Sequence, residues 1–178
     1  FVGKTTILGA GYGMGALKFQ AQLKSFGTEI ELDEARRIIN IYRDANWKIS
    51  HVWREAQNMI IRMEKGDTYQ FGKKGVIEVI GDRESIRLPS KLLMRYEDLK
   101  GEQNSQGTEY SYKTRRGRTR IYGGKVIENV CQALARCVIG DQMLLINNKY
   151  RAVLTVHDSV IACVPESEAE EAQQYVEK

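Results

Sequence analysis

An α+β fold is the class this sequence predicts, and three patterns predict it. Apolar residues recur at three- and four-residue steps across residues 31–64 and again across 125–146, the spacing of amphipathic helices. Residues 68–122 break instead into short β-prone runs separated by turn-forming residues. Two apolar strands, Arg151–Val156 and Val160–Val164, then meet at the polar corner His157-Asp158-Ser159, as in a β-hairpin.

Residues 1–27 are Gly-rich and apolar, with short helices expected around Lys4–Gly9 and Gly15–Ser25. Leu32, Ala35, Ile38, Ile39 and Tyr42 then form one helical stripe, and Ile49, Val52, Trp53, Ala56, Met59 and Ile60 a second. The pattern shifts near Asn46-Trp47, which predicts two consecutive helices or one bent one. Asp33 or Glu31 would sit favourably near the first N-terminus. Strands are expected at Val76–Ile80, Ser85–Leu88, Lys91–Tyr96 and Glu109–Lys113, with Gly101–Gly107 as a mobile loop tip. Val126, Val130, Ala133, Leu134, Cys137, Val138 and Leu145 lie on or near one stripe of the next helix. After Pro165, Ser167 and Glu170 stand at capping-box spacing and predict a C-terminal helix.

A composition of 42% hydrophobic and 28% charged residues excludes a disordered tail or a collagen-like repeat. No apolar run approaches the roughly 20 residues that cross a bilayer. The first residues, Phe1-Val2-Gly3-Lys4-Thr5-Thr6, lack a signal peptide's basic and apolar regions. The chain does not begin with Met and is expected to be a piece of something larger. Cys131, Cys137 and Cys163 form no C-x-x-C pair, so buried, reduced thiols in a cytoplasmic protein are expected. The formal charge of +4 is unevenly spread. Lys113, Arg115, Arg116, Arg118, Arg120 and Lys125 follow one another with no acid between them, whereas residues 166–178 hold five glutamates. The basic run reads either as a solvated loop or as a contact for a polyanion.

Four motifs carry chemistry. Gly3-Lys4-Thr5 matches the end of a P-loop but lacks the preceding glycine and strand. Gly11-Tyr12-Gly13-Met14-Gly15-Ala16 fits a dinucleotide-binding turn, with Glu31 at a usable distance, yet no second βαβ unit follows. Alternatively, Lys4, Leu8 and Tyr12, at i, i+4 and i+8, share one helix face. A cation, an aliphatic side chain and a ring in a row match a nucleotide's phosphates, sugar and base, while an ordinary amphipathic helix is the plainer alternative. The glycines at 9, 11, 13 and 15 suggest close approach by another backbone or a ligand. Finally, Asp158 at the hairpin corner is expected between two buried strands, where a carboxylate is costly unless paired or bound to a cation. It either serves the turn or offers a hard oxygen ligand to Mg²⁺.

Taken together, these segments resemble the C-terminal part of family A (DNA polymerase I-like) DNA polymerases, especially the bacteriophage branch. Lys4–Gly13 resembles motif B of the fingers, with pattern R-x-x-x-K-x-x-x-[FYL]-G-x-x-Y-G. Thr155-Val156-His157-Asp158-Ser159 resembles motif C of the palm, and Tyr122–Arg136 a phage-type palm helix. Order and spacing agree across nearly the whole chain.

The resemblance implies fingers helices at 1–64 (motif B at 4–13), a strand- and turn-rich insertion and connection at 65–121, and part of an antiparallel palm sheet, with the motif C hairpin and C-terminal helix, at 122–178. It implies that Lys4 contacts the phosphates of an incoming dNTP, that Leu8 lies beside the sugar, and that Tyr12 lies near the nascent pair and template base. Gly13 would allow close packing beside that tyrosine. Asp158 would be one of two aspartates holding two Mg²⁺ ions, and His157 would sit near the primer terminus. Ser159 stands where many members have Glu. Glu128 or Asn129 falls near the family's minor-groove Gln, with no role implied. Arg115, Arg116, Arg118, Arg120 and Lys125 become contacts for primer–template DNA. The implied reaction is attack of a primer 3′-hydroxyl on the α-phosphate of a dNTP.

Motif A with the second aspartate, the motif B arginine, the thumb and any exonuclease would come from the remainder of the polymerase. These 178 residues are therefore expected to be inactive alone, in the cytoplasm or the host cytoplasm. A non-catalytic nucleic-acid-binding module is the alternative reading, and a Rossmann-type oxidoreductase is more distant.

Overall fold

A computed structural model describes residues 2–105 and 107–177, and Gln106 of the expected loop tip lies outside them. The fold is α+β, and the chain divides into two compact units, Phe1–Asn129 and Val130–Lys178.

The first unit opens with four helices, α1 (Val2–Ala10), α2 (Ala16–Ser25), α3 (Leu32–Ala45) and α4 (Trp47–Glu64). Phe19, Leu23, Ala35 and Ile39 are buried together with Ala10, so the apolar stripes of the first three helices share one core. The break between α3 and α4 falls at Asn46. Its backbone N–H and its side-chain amide both donate to the Tyr42 carbonyl at 2.9 Å, satisfying an orphan acceptor at the end of α3. Asp33 and Glu34 occupy the first turn of α3, where Arg36 and Arg37 bond them at 2.8 and 2.7 Å.

Two antiparallel sheets follow. The first is a meander of β1 (Tyr69–Phe71), β2 (Ile77–Ile80), β3 (Ser85–Arg87) and β4 (Leu93–Arg95). The second holds β5 (Lys100–Asn104), β6 (Gly107–Thr114) and β7 (Gly117–Ile121). Residues 101–104 are thus strand, not the expected loop tip, and they pair with β6 in the register Gly101↔Tyr110. Ala56, Met59, Ile60 and Met63 of α4 are buried, as are Ile77, Val79 and Ile86 of the first sheet, and α4 packs against β2 and β5. Glu84 links the strands: its carboxylate accepts the backbone N–H groups of Asp98 and Leu99 at 2.7 and 3.0 Å, and its carbonyl accepts that of Tyr96 at 2.8 Å.

Helix α5 (Gly123–Asn147) begins in this unit at a point that admits only glycine. A Cβ on Gly123 would fall 1.9 Å from the Trp53 carbonyl oxygen, and the Gly123 N–H donates to Gln57 Oε1 at 2.9 Å. The start of α5 is thereby pinned to the backbone of α4.

The second unit contains the rest of α5, the hairpin β8 (Arg151–Val156) and β9 (Ser159–Cys163), a 3₁₀ turn at Glu166–Glu168 and α6 (Ala169–Val176). Buried Tyr150 meets Tyr175 edge to face at 5.8 Å, and the Tyr175 hydroxyl donates to the Leu145 carbonyl at 3.0 Å. Three expectations are corrected here. Ser167 forms no capping box, because the 3₁₀ turn occupies that stretch and α6 starts after Glu168 without a side-chain cap. Cys163, at the end of β9, and Cys131 are exposed and Cys137 is only half-buried; on α5 the apolar stripe is covered at Val126 and Val130 but open at Val138 and Leu145. The hairpin strands are not buried either: Val153, Leu154, Val156 and Ile161 are all exposed.

Every strand pairing among the described residues is antiparallel, which removes the dinucleotide-binding reading of residues 11–16. Gly3-Lys4-Thr5 lies inside α1 and does not form a loop ahead of a helix, so it is no P-loop. None of the described helices is long and apolar enough to cross a membrane.

Candidate functional site

Helix α1 buries Thr5, Gly9 and Ala10 and turns Lys4, Ile7 and Leu8 outward. Its hydrogen bonding continues past Ala10. Gly11 N–H donates to the Ile7 carbonyl at 3.0 Å and Tyr12 N–H to that of Gly9 at 3.1 Å. The helix then closes with paired bonds from Gly13 N–H to Ala10 and from Met14 N–H to Gly9, the Schellman pattern. Gly13 sits at φ +80°, the left-handed conformation that this cap requires and that glycine adopts without a steric penalty. The α1 spiral therefore carries Tyr12 round onto the face of Lys4 and Leu8. An ordinary amphipathic helix would hide its apolar members, yet Leu8 is 55% and Tyr12 50% exposed. Close approach explains Gly9, against which Met14 packs, but nothing lies near Gly15.

Beside the end of α1 lies a groove of about 300 Å³, with Arg43, Ser50, Trp53, Arg54 and Tyr122 among its walls. The Tyr122 hydroxyl donates to the Tyr12 carbonyl at 3.3 Å, and Arg43 reaches the Met14 carbonyl at 3.4 Å. Sequence reasoning placed Trp53 in a core stripe and assigned Tyr122 no role. The Gly123-Gly124 pair at a helix start was the signal that another backbone comes close there.

The basic run forms the ribbon β6–β7 and the start of α5. Arg118 is used within the protein: it bonds the Asp98 carboxylate at 2.7 Å, the Asp98 carbonyl at 2.8 Å and Ser111 Oγ at 3.0 Å. Arg118 and Lys100 together hold the Asp98 carboxyl below its ordinary range, with the Lys100 bond the larger cause. Arg120 pairs with Glu109. Lys125 pairs with Glu128 at 2.8 Å, a bond that raises the lysine's pKa. Arg115 and Arg116 form the exposed two-residue turn between the paired residues Thr114 and Gly117.

In the second unit, His157 and Asp158 form the two-residue turn between Val156 and Ser159. His157 takes φ +53°, a left-handed value uncommon for any residue but glycine. Asp158 is exposed, so desolvation makes no demand on it, contrary to the expectation of a carboxylate between buried strands. Its oxygens form no bond with any described residue, so the turn does not use them. A hard cation takes such a carboxylate as one ligand among several oxygens. No group of three His, Cys, Asp or Glu among the described residues could enclose a metal, so these residues form no complete metal site around Asp158.

The chain is similar to a protein named DNA polymerase from Bacillus phage SP02, with 32% identity over 187 aligned positions that take in 94% of this chain. The alignment covers 27% of that relative, so the chain spans about a quarter of its length. No family model matches the chain, and no solved structure matches it.

Proposed function

We propose that this chain is part of a template-directed DNA polymerase of the DNA polymerase I-like type, carrying a nucleotide-facing helix and one metal-binding aspartate. The observation that carries the reading is the outward face Lys4–Leu8–Tyr12 in a chain similar to a phage DNA polymerase over almost all its length. The Lys4 ammonium meets the triphosphate of a dNTP, Leu8 lies against its sugar, and Tyr12 lies against the nascent pair. Asp158 holds Mg²⁺, which would stabilise the attacking 3′-oxygen and the leaving pyrophosphate when bound. His157, fixed by its turn, borders the primer terminus. The chain's own contribution is orientation and charge compensation.

Arg115 and Arg116 meet the DNA backbone from the ribbon tip. Residues 65–121 support this, with thirteen Lys and Arg against eight Asp and Glu, a surplus larger than that of the whole chain. Arg118 and Arg120 shape the ribbon, and Lys125 extends the basic run onto the start of α5.

Primer extension by the polymerase containing this chain is the test. Lys4→Ala and Asp158→Ala should each lower the rate at least 100-fold without loss of DNA binding, while Arg115→Ala/Arg116→Ala weakens binding and flattens its salt dependence. If Lys4→Ala and Asp158→Ala leave extension intact, the proposal is wrong. The exposed ribbon tip also suits a non-catalytic nucleic-acid-binding module, which would bind DNA with no metal-dependent affinity for dNTPs.

A further inference from the structure

We propose that Tyr122 is a positioning residue that holds Tyr12 in place, and so tunes how strictly the site selects the incoming base; the second half rests on the function proposed above. Tyr12 stands two residues past the end of α1, and its side chain is half-exposed. What fixes it is its backbone. The carbonyl of Tyr12 is an orphan acceptor of the helix end, and Tyr122, 110 residues along the chain, donates its hydroxyl to it at 3.3 Å. The Tyr122 ring also lies over Gly13: a Cβ there would stand 3.7 Å from Tyr122 Cε2, so the ring backs the left-handed residue that closes the helix.

Tyr122 can act as a fixed post because it precedes the most constrained point in the unit. Its own carbonyl accepts the Val126 N–H at 3.0 Å, at the first turn of α5. The next residue, Gly123, is bonded to Gln57 and pressed against the Trp53 carbonyl. On the other side of the post lies the open groove, so polar contacts add to the packing of Ala10 and Met14 in setting the end of α1. Removing one of these polar contacts should shift the Tyr12 turn without unfolding the helix core around Phe19 and Ile39.

Two measurements test this. In the 178-residue chain, amide hydrogen exchange at Gly13 and Met14 should speed up about 2- to 10-fold in Tyr122→Phe, the loss of one hydrogen bond, and further in Tyr122→Leu, with Ile39 unchanged as a check on folding. In the polymerase containing the chain, Tyr122→Phe should lower the ratio of correct to incorrect kcat/KM about 2- to 10-fold while kcat for the correct dNTP stays the same. In a Tyr12→Ala background the same substitution should do nothing further. Unchanged exchange at Gly13 and Met14 overturns the positioning role. An equal loss of selectivity with and without Tyr12 overturns its route through Tyr12. If the parent polymerase extends no primer, the proposed function fails and the exchange rates still decide whether Tyr122 holds the turn.

Discussion

On the function proposed above, Leu8 is the residue whose identity bears most directly on substrate choice. It is an aliphatic side chain, 55% exposed, between a cation and a ring on the same helix face. An aromatic ring in that place would offer a flat, wider surface to a sugar and a hydroxyl in the case of Tyr. Leu8→Tyr and Leu8→Phe should therefore change the preference between deoxy- and dideoxynucleotides by about tenfold or more, the scale of one apolar or polar contact at a site. Competition between the two nucleotides in primer extension reads this, and equal selectivity in all three proteins would sink it. The face itself was legible from spacing, because i, i+4 and i+8 fall together on any α-helix. Its completion at Tyr12 depended on the left-handed Gly13, which ends the helix only after the tyrosine is in place. Tyr122 was not legible, since a contact across 110 residues leaves no local pattern.

Among the elements, those with their own apolar rhythm were the ones the sequence showed. The four N-terminal helices, their break at Asn46, and β2, β3 and β6 all carry it. Strands β1, β5 and β7 were missed, and the last two, Lys-Gly-Glu-Gln-Asn and Gly-Arg-Thr-Arg-Ile, are mostly polar. They are strands because β6 pairs with them on both sides, a tertiary effect that outweighs their composition. The same logic separates the arginines. Those on β7 are spent on Asp98, Ser111 and Glu109 within the sheet, and those at the turn are not. The junction of α4 and α5 is the element contact most sensitive to a single atom. Gly123→Ala sets a methyl group where the Trp53 carbonyl stands, so α5 must draw back and the Gln57 bond must lengthen or break. The expected cost is roughly 3 kcal/mol, the upper end for overpacking with loss of a hydrogen bond. Urea unfolding should show it as a lower midpoint, whereas Gly140→Ala, with open space around it, should be neutral or slightly stabilising. Equal midpoints for the two variants would contradict the close approach.

At the scale of the molecule, the larger unit is tied together by Tyr96, which follows β4 and is 2% exposed. Its ring meets Tyr112 of β6 edge to face at 5.1 Å, and its hydroxyl accepts the Asn129 side-chain amide at 3.3 Å, so both sheets and the first turns of α5 meet on one phenol. Burial pushes its pKa up from the ordinary value of 10.0 to about 12, because a phenolate there would lose its hydration, and the Asn129 bond offsets only part of this. The folded chain thus holds that proton more tightly than the unfolded chain does. Stability from this group is complete below about pH 10 and is lost as pH rises through about 12. Two pKa units correspond to roughly 2–3 kcal/mol at the upper limit. Burial also raises Tyr69 and Tyr110, which add a loss of the same sign. Tyr96→Phe isolates the one from the others: it should be less stable than the parent at pH 7, where the Asn129 bond is lost, and should lose less on going from pH 9 to pH 11.5. The two stability curves should therefore converge at high pH. If they run parallel across that range, Tyr96 titrates in the folded state as it does in the unfolded one, and the phenol is not the buried junction of the two sheets and α5.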